Sequence, residues 1–176
     1  MLRRNLLRSS MLVPVVMLAA CNSTGTVTIP SSLQTAIADA PAIVTAAEAG
    51  FASFASLLPA SDVATVNGYL QKAEGLASQV AGLATQTLQA GSLQSIVNLV
   101  LSAANTIAGD VPNPSPGVKT AITTFQAVVT VAQAILPIVA PLLGVVGAPT
   151  KAAPALFQSN MSLDDARLYV HSVRKQ

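Results

Sequence analysis

Charged and aromatic side chains are both scarce in this sequence, and tryptophan is absent. Of its 176 residues, 9 % are charged and 3 % are aromatic, whereas soluble domains usually contain about 25 % charged residues. The scarcity of large aromatic side chains excludes a core built around a few bulky anchors. The apolar residues, 52 % of the chain, are mostly Ala, Val, Leu and Ile, and small side chains bury little area each. Such a core needs helices that approach each other closely.

Basic residues are too few in the body of the chain for a nucleic-acid partner. The formal net charge is +2, from nine basic and seven acidic residues. Three of the basic residues, Arg3, Arg4 and Arg8, lie at the start, so residues 21–176 carry six basic and seven acidic side chains, a net charge of −1. A nucleic-acid-binding protein needs a basic face to neutralise phosphates. We therefore expect no nucleic-acid partner.

The groups needed for catalysis or metal binding are also few. One cysteine excludes an internal disulfide, and the single histidine, His171, stands among seven scattered carboxylates. Asp164, Asp165 and His171 form the one local cluster, in which Asp164 and His171 would share a helix face. The cluster fits a weak site or a solvated, capped helix, and we favour the helix because a site needs more converging groups. We predict no enzyme activity, metal or cofactor, and we expect Tyr69 and Tyr169 to be packing residues with hydrated hydroxyl groups.

The first 21 residues have the organisation of an export signal. The three arginines precede a short apolar run, Met11 to Leu18, which is too short to span a bilayer as a permanent helix. The run ends in Leu18, Ala19, Ala20 and Cys21. This order resembles the signal peptide of bacterial lipoproteins, and the last four residues resemble its lipobox. The alternative is an ordinary secretory signal that happens to be followed by a cysteine.

The resemblance implies a lipid anchor. In that family the cysteine sulfur, here that of Cys21, takes a diacylglycerol, the chain is cleaved between Ala20 and Cys21, and the new amine receives a fatty acid such as palmitate. Two or three acyl chains give stable anchoring. By analogy, Asn22 in place of aspartate favours the outer membrane, facing the periplasm. The only non-protein groups expected are these covalent lipids on Cys21.

These features divide the chain into three parts. Residues 1–20 are predicted to be the signal peptide, residues 21–30 a lipidated tether, and residues 31–176 a single helical domain. The nine residues that follow Cys21 reach at most about 30 Å when fully extended. We therefore expect the domain to lie close to the membrane surface of the cell envelope.

Apolar residues at helical spacing predict an all-α fold. We expect an antiparallel bundle of about four helices with a short C-terminal helix. The first helix is interrupted near Pro41, either by a kink or by a new segment capped by Asp39. The second begins after Pro59 with a hydroxyl cap and ends at Gly91. Ser92 is predicted to cap the third, which Gly109 ends.

Residues 110–117 contain three prolines and are predicted to form an extended crossover. A capping-box-like start at Ser162 predicts the C-terminal helix. In the second helix, Gly68, Gly75 and Gly82 repeat every seven residues. Either they allow another backbone to approach closely, or the spacing is a coincidence on a solvated helix; the sequence favours neither.

Residues 120–150 contain no formally charged side chain. The stretch is long and apolar enough for a membrane span, but Pro137 and Pro141 interrupt its most apolar part. We favour a fourth helix, kinked near one of these prolines, at the core of the bundle. The alternative is that residues 121–148 enter a bilayer.

These observations leave three functional hypotheses. The first is a non-catalytic, membrane-anchored interaction or structural module, with a protein partner or a second copy bound through helix faces of low charge. The second is a membrane-active protein of the lysis or exclusion type that inserts residues 121–148. The third is a carrier of an apolar ligand, held in a cavity between helices lined by small side chains.

Overall fold

The computed structural model describes residues 28–82, 86–111, 115–144 and 153–176. The predicted signal peptide and its lipobox, Leu18, Ala19, Ala20 and Cys21, lie outside these residues. The described chain forms five α-helices and no β-strand. They are α1 (Ser31–Phe54), α2 (Ala60–Val80), α3 (Gln86–Asp110), α4 (Lys119–Val139) and α5 (Leu163–Arg174). The prediction of an all-α bundle with a short C-terminal helix is confirmed.

Helices α1 to α4 run up and down, each antiparallel to the next. Short connections join them, which places consecutive helices side by side in opposite directions. The end of α1 meets the start of α4, where the Phe54 and Phe125 rings lie 5.6 Å apart. The start of α2 meets the end of α3, where a hydrogen bond with the Asp62 carboxyl group raises the pKa of Asp110. The main pairings are α1 with α4 and α2 with α3.

This topology gives the bundle two distinct ends. We call one the tether end, because the described chain enters there at the start of α1; it also contains the end of α2, the start of α3 and the end of α4. The opposite end, which we call the distal end, contains the end of α1, the start of α2, the end of α3 and the start of α4. The short helix α5 packs across α1 and α4.

Helix α1 is continuous through Pro41, without a new segment beginning at Asp39. Proline removes one backbone donor and normally disrupts a helix interior. Packing outweighs this cost here, since α1 contacts every other helix of the described chain and twelve of its 24 residues are buried.

The predicted boundary between the second and third helices was wrong. Helix α2 ends at Val80 and a turn follows at residues 81–82. Helix α3 already begins at Gln86, so Gly91 and Ser92 lie inside it rather than at its start. An interior glycine costs a helix only about 1 kcal/mol. Ala90, which precedes both Gly91 and Ser92, is fully buried, so the chain already packs against the bundle before these residues. Tertiary packing therefore extends α3 beyond the residues that looked like helix ends.

Two other local predictions also need correction. Helix α2 begins at Ala60 after Pro59, without a side-chain cap; the backbone N–H of Asp62 donates to the Pro59 carbonyl instead. The crossover predicted at residues 110–117 is only partly extended. Asp110 still belongs to α3, and Pro116–Val118 forms a 3-10 turn that leads into α4.

Helix α4 is a core helix of the bundle. Eleven of its residues are buried, and Pro137 lies within its last turn; a 3-10 turn at Pro141–Leu143 follows. Among the described residues, two segments are long and apolar enough to span a membrane, Ser31–Leu57 with a mean hydropathy of 1.3 and Pro116–Leu143 with 1.9. In the folded chain these two segments pack against each other, with 50 % and 44 % of their most apolar windows buried.

Three phenylalanine rings close the distal part of the core, which the scarcity of aromatic residues did not predict. Phe54 from α1, Phe125 from α4 and Phe157 from a 3-10 turn have ring centroids 5.2 to 6.2 Å apart. All three are almost fully buried. The chain between α4 and α5 is thus attached to the bundle by a ring inserted between two helices.

The repeated glycines Gly68, Gly75 and Gly82 do not bring helices of this chain together. A Cβ atom added at Gly68 or Gly75 would meet no atom within 4 Å, and at Gly82, in the turn after α2, it would meet only the carbonyl of Gln79. Close approach occurs at Gly50 instead, where a Cβ atom would lie 3.0 Å from the ring of Phe125.

Alanine substitutions at Gly50 and Gly75 are expected to have opposite effects on stability. Gly75→Ala should raise the free energy of unfolding by about 0.5–1 kcal/mol, because it removes the entropic cost of glycine in open space. Gly50→Ala should lower it by about 1 kcal/mol or more, because overpacking against the buried Phe125 ring exceeds that gain. Urea denaturation of both variants provides the measurement. Equal stabilisation by the two substitutions would contradict the close approach of α1 and α4.

Candidate functional site

The C-terminal helix α5 begins as its sequence predicts. The backbone N–H of Asp165 donates to the Ser162 Oγ, and this hydroxyl donates to the Asp165 carboxylate over 2.6 Å. Acidic residues in the first turn and basic residues in the last turn also suit the helix dipole. Ser162 thus caps the helix as predicted, although the Asp165 carboxylate accepts from the Ser162 hydroxyl rather than from the Ser162 backbone N–H as in a full capping box.

The basic residues of α5 meet a buried carboxylate on α1. Arg167 Nε donates to Asp39 Oδ2 over 2.9 Å, and His171 Nε2 lies 3.0 Å from Asp39 Oδ1. Because a carboxylate only accepts hydrogen bonds, His171 donates through Nε2. The Asp39 side chain is 3 % exposed, whereas those of Arg167 and His171 are 24 % and 39 % exposed. We call these three residues the Asp39 cluster.

The structure does not bring His171 together with Asp164, the residue with which it would share a helix face. Asp164 is exposed at the start of α5, while Arg167 and His171, four residues apart on one face, both point to Asp39 on α1. Arg167 thus lies at the interface between α5 and α1. A weak signal for Asp39 was present, because it is a lone carboxylate among the apolar residues of α1. Its partners are more than 120 positions away, beyond any local pattern.

The Asp39 cluster attaches α5 to the rest of the bundle. Each carboxylate oxygen of Asp39 receives one charged or polar donor, so neither oxygen of this buried side chain is left without a hydrogen-bond partner. The pair of contacts fixes α5 in both position and rotation, since Arg167 and His171 are one helical turn apart. Among the residues that the structure describes, no three His, Cys, Asp or Glu side chains are grouped to hold a metal ion.

A second polar contact joins α5 to α4. The Thr124 hydroxyl donates its single proton to the Thr120 carbonyl over 2.9 Å. Tyr169 OH lies 3.2 Å from the same Thr124 oxygen, so the tyrosine is the donor in that pair. Tyr169 is half-buried, and its hydroxyl contacts protein where the sequence predicted contact with water. Helix α5 is therefore attached to both α1 and α4.

Two surface grooves lie beside these helices. One, of about 440 Å³, runs between α1 and α2. Its walls include Phe51 and Leu70, with Glu48 and Glu74 at its rim. The other, of about 420 Å³, lies between α4 and the chain that precedes α5, and it is lined by Val129, Thr130, Gln133, Ala153, Phe157, Gln158, Ser159 and Asn160.

The first groove makes one carboxyl group sensitive to pH. Partial burial raises the pKa of Glu48 from its ordinary value of 4.5, and the negative charge of Glu74 adds to the shift. The native state therefore binds this proton more tightly than the unfolded chain does. The contribution of this proton to the free energy of unfolding is fully present below pH 4.5 and is lost as pH rises through the raised pKa of Glu48.

Glu48→Gln is expected to increase stability near neutral pH and to leave it unchanged below pH 4.5, because glutamine carries no charge to desolvate. Glu74→Gln, which removes only the lesser cause of the shift, should give a smaller gain. Urea denaturation at both pH values tests this. A gain from Glu48→Gln that is the same at acidic and neutral pH would show that the effect does not come from its ionisation.

The site and fold together define a helical bundle whose C-terminal helix is attached to α1 and α4 by polar contacts. Comparison with known proteins adds no relative to this description: the chain matches no protein-family model, no curated protein and no solved structure.

Proposed function

We propose that this chain is a lipid-anchored envelope protein whose helical domain works without catalysis, as an interaction or structural module. The observation that carries the proposal is the order of the first 21 residues, in which a basic segment and a short apolar run precede Leu18, Ala19, Ala20 and Cys21. In this proposal Cys21 carries a diacylglycerol and a fatty acid such as palmitate. The domain is then held at the outer membrane and faces the periplasm.

The arrangement of polar groups in the domain is consistent with a non-catalytic role. The charged side chains of the Asp39 cluster are directed at each other across the α1–α5 interface. Most of the remaining helix surface is low in charge, because 9 % of the chain is charged. Such faces suit contact with a protein partner or a second copy, and this is how we expect the domain to act.

The lipid anchor is tested by acyl labelling of the wild-type chain and a Cys21→Ala variant. Cells are given an alkyne-bearing palmitate, and the protein is then isolated from membrane and soluble fractions. The wild type should carry the label and sediment with membranes. Cys21→Ala should lose the label and retain the signal peptide, because the dedicated signal peptidase of lipoproteins acts on the lipidated cysteine. Asn22→Gln is the matched control, since it alters the adjacent residue and keeps the sulfur.

Labelling that is equal in the wild type and in Cys21→Ala would contradict the proposal. An unlabelled wild type that is nevertheless cleaved would favour an ordinary secretory signal.

A second candidate function is insertion into a membrane, as in a lysis or exclusion factor. It is favoured by one observation, the length and mean hydropathy of 1.9 of Pro116–Leu143. A Cys21→Ala variant exported with a conventional cleavable signal separates the two candidates. If the domain is only tethered, a carbonate wash should release this unlipidated protein from membranes. Retention after the wash would favour membrane insertion by residues 121–148.

A further inference from the structure

Charged residues are unevenly distributed along the bundle. In helices α1 to α4, none lies within about two turns of the tether end. The segments of α1 to α4 nearest this end, residues 31–38, 75–80, 86–109 and 120–139, contain no Asp, Glu, Lys or Arg. The charges of these helices lie further toward the distal end or, at Asp39, are buried.

Asp39 marks the limit of this uncharged region on α1. It lies eight residues after Ser31, about 12 Å along the helix, and its charge is matched by the α5 side chains that contact it. The tether end of the four long helices therefore presents only apolar and neutral polar groups. Such a surface loses little hydration free energy when it moves from water to the headgroup region of a bilayer.

Exposed leucines occur at the same end. Leu88 is 58 % exposed in the first turn of α3, and Leu142 is 37 % exposed in the 3-10 turn that follows α4. Because α3 and α4 are antiparallel neighbours, the start of one lies beside the end of the other, and α3 contacts the turn at Pro141–Leu143. The two exposed leucines thus both lie at the tether end of the bundle. The other two large exposed apolar side chains of the described residues lie elsewhere, Leu57 at the distal end and Leu168 on α5.

We propose that the tether end of the bundle rests on the lipid bilayer, with Leu88 and Leu142 inserted at the boundary between the headgroups and the acyl chains. This inference rests on the proposed lipid anchor. The nine residues between Cys21 and α1 reach at most about 30 Å, so the end of the bundle at which α1 begins is held within about that distance of the membrane. The uncharged surface, the exposed leucines and the attachment point of the tether thus coincide.

The partner is the apolar part of the lipid rather than an anionic headgroup. Recognition of anionic lipid uses clusters of Lys and Arg, and α1 to α4 have none at the tether end. Binding by buried apolar area is typical of interfacial insertion. The bilayer would thereby hold the long axis of the bundle upright and leave the distal end and the outer face of α5 free for partners.

The absence of tryptophan provides a direct test. The full-length lipidated protein is purified from membranes as four variants, each with one tryptophan: Leu88→Trp, Leu142→Trp, Leu57→Trp and Leu168→Trp. Each variant is reconstituted in phosphatidylcholine vesicles with ordinary or brominated acyl chains. Brominated chains quench tryptophan emission only on close contact. Leu57→Trp is the matched control for Leu142→Trp, since both positions lie in a 3-10 turn after a long helix.

We expect brominated lipid to reduce the emission of the Leu88→Trp and Leu142→Trp variants and to leave the two control variants unchanged. Circular dichroism verifies that each variant is folded. Absence of quenching at Leu88 and Leu142, or equal quenching at all four positions, would overturn the proposed orientation. Mass spectrometry of the same preparations determines whether Cys21 is acylated. An acylated protein without quenching contradicts this inference alone, whereas an unmodified Cys21 contradicts the proposed function.

Discussion

Replacement of Arg167 by alanine is expected to lower the free energy of unfolding by about 3 kcal/mol, because it leaves a buried carboxylate without its charged partner. Asp39 is 3 % exposed and accepts from Arg167 on one oxygen and from His171 on the other. After the substitution one oxygen has no protein donor, and water reaches it only if α5 shifts. The unfavourable burial of the charge then weakens the attachment of α5.

The opposite substitution should be milder. Asp39→Asn removes the charge from the buried side of the pair, while Arg167 and His171 are 24 % and 39 % exposed and can be hydrated where they are. We expect a loss of about 1 kcal/mol, the net value of a typical hydrogen bond. In the double variant, Arg167→Ala with Asp39→Asn, no uncompensated charge is buried. Its loss should therefore be smaller than the sum of the two single losses.

Urea denaturation of the wild type, the two single variants and the double variant forms a double-mutant cycle. The coupling between Asp39 and Arg167 is the quantity measured. Arg174→Ala serves as the control, since it removes an arginine from an exposed position of the same helix, and it should change stability little. Additive losses, or a loss from Arg167→Ala no larger than that from Arg174→Ala, would show that the cluster does not hold α5 in place.

Replacement of Phe157 by alanine is expected to lower the free energy of unfolding by about 3–5 kcal/mol, as for other buried aromatic residues. The Phe157 ring is 1 % exposed and contacts the rings of Phe54 and Phe125. It belongs to a 3-10 turn of three residues, Ala155–Phe157, which is too short to be stable alone.

Hydrogen exchange distinguishes the local effect of this substitution from a global one. Without the Phe157 ring, we expect faster exchange of the amides in the described chain that precedes α5, including Phe157 and Gln158, whose N–H groups donate within the turn. Leu156→Ala is the matched control. Leu156 is adjacent to Phe157 but only half-buried, so its replacement should lower the free energy of unfolding much less. Equal losses from the two substitutions would contradict the role of the three-ring cluster.

Much of the fold could be predicted from the sequence because the evidence is local. Apolar periodicity predicts all five helices, and Ser162 caps α5 as expected. Helix ends were less predictable: Gly91 and Ser92 have the composition of a boundary but lie within α3, since packing of neighbouring residues outweighs the modest preference of single residues. For the repeat of Gly68, Gly75 and Gly82 the sequence left close approach and coincidence open, and in the structure none of the three meets another helix, whereas Gly50 lies against Phe125.

The sequence by itself determined the all-α class and, through Leu18 to Cys21, the expectation of a lipid anchor. These follow from spacing, charge and residue order within short segments. Only the tertiary structure decided which distant groups meet: Asp39 with Arg167 and His171, and Thr124 with Tyr169. It also placed the exposed Leu88 and Leu142 at the same end of the bundle. The physical reason is that helical periodicity specifies which face of a helix is buried, whereas the partner of each buried face depends on how the helices pack.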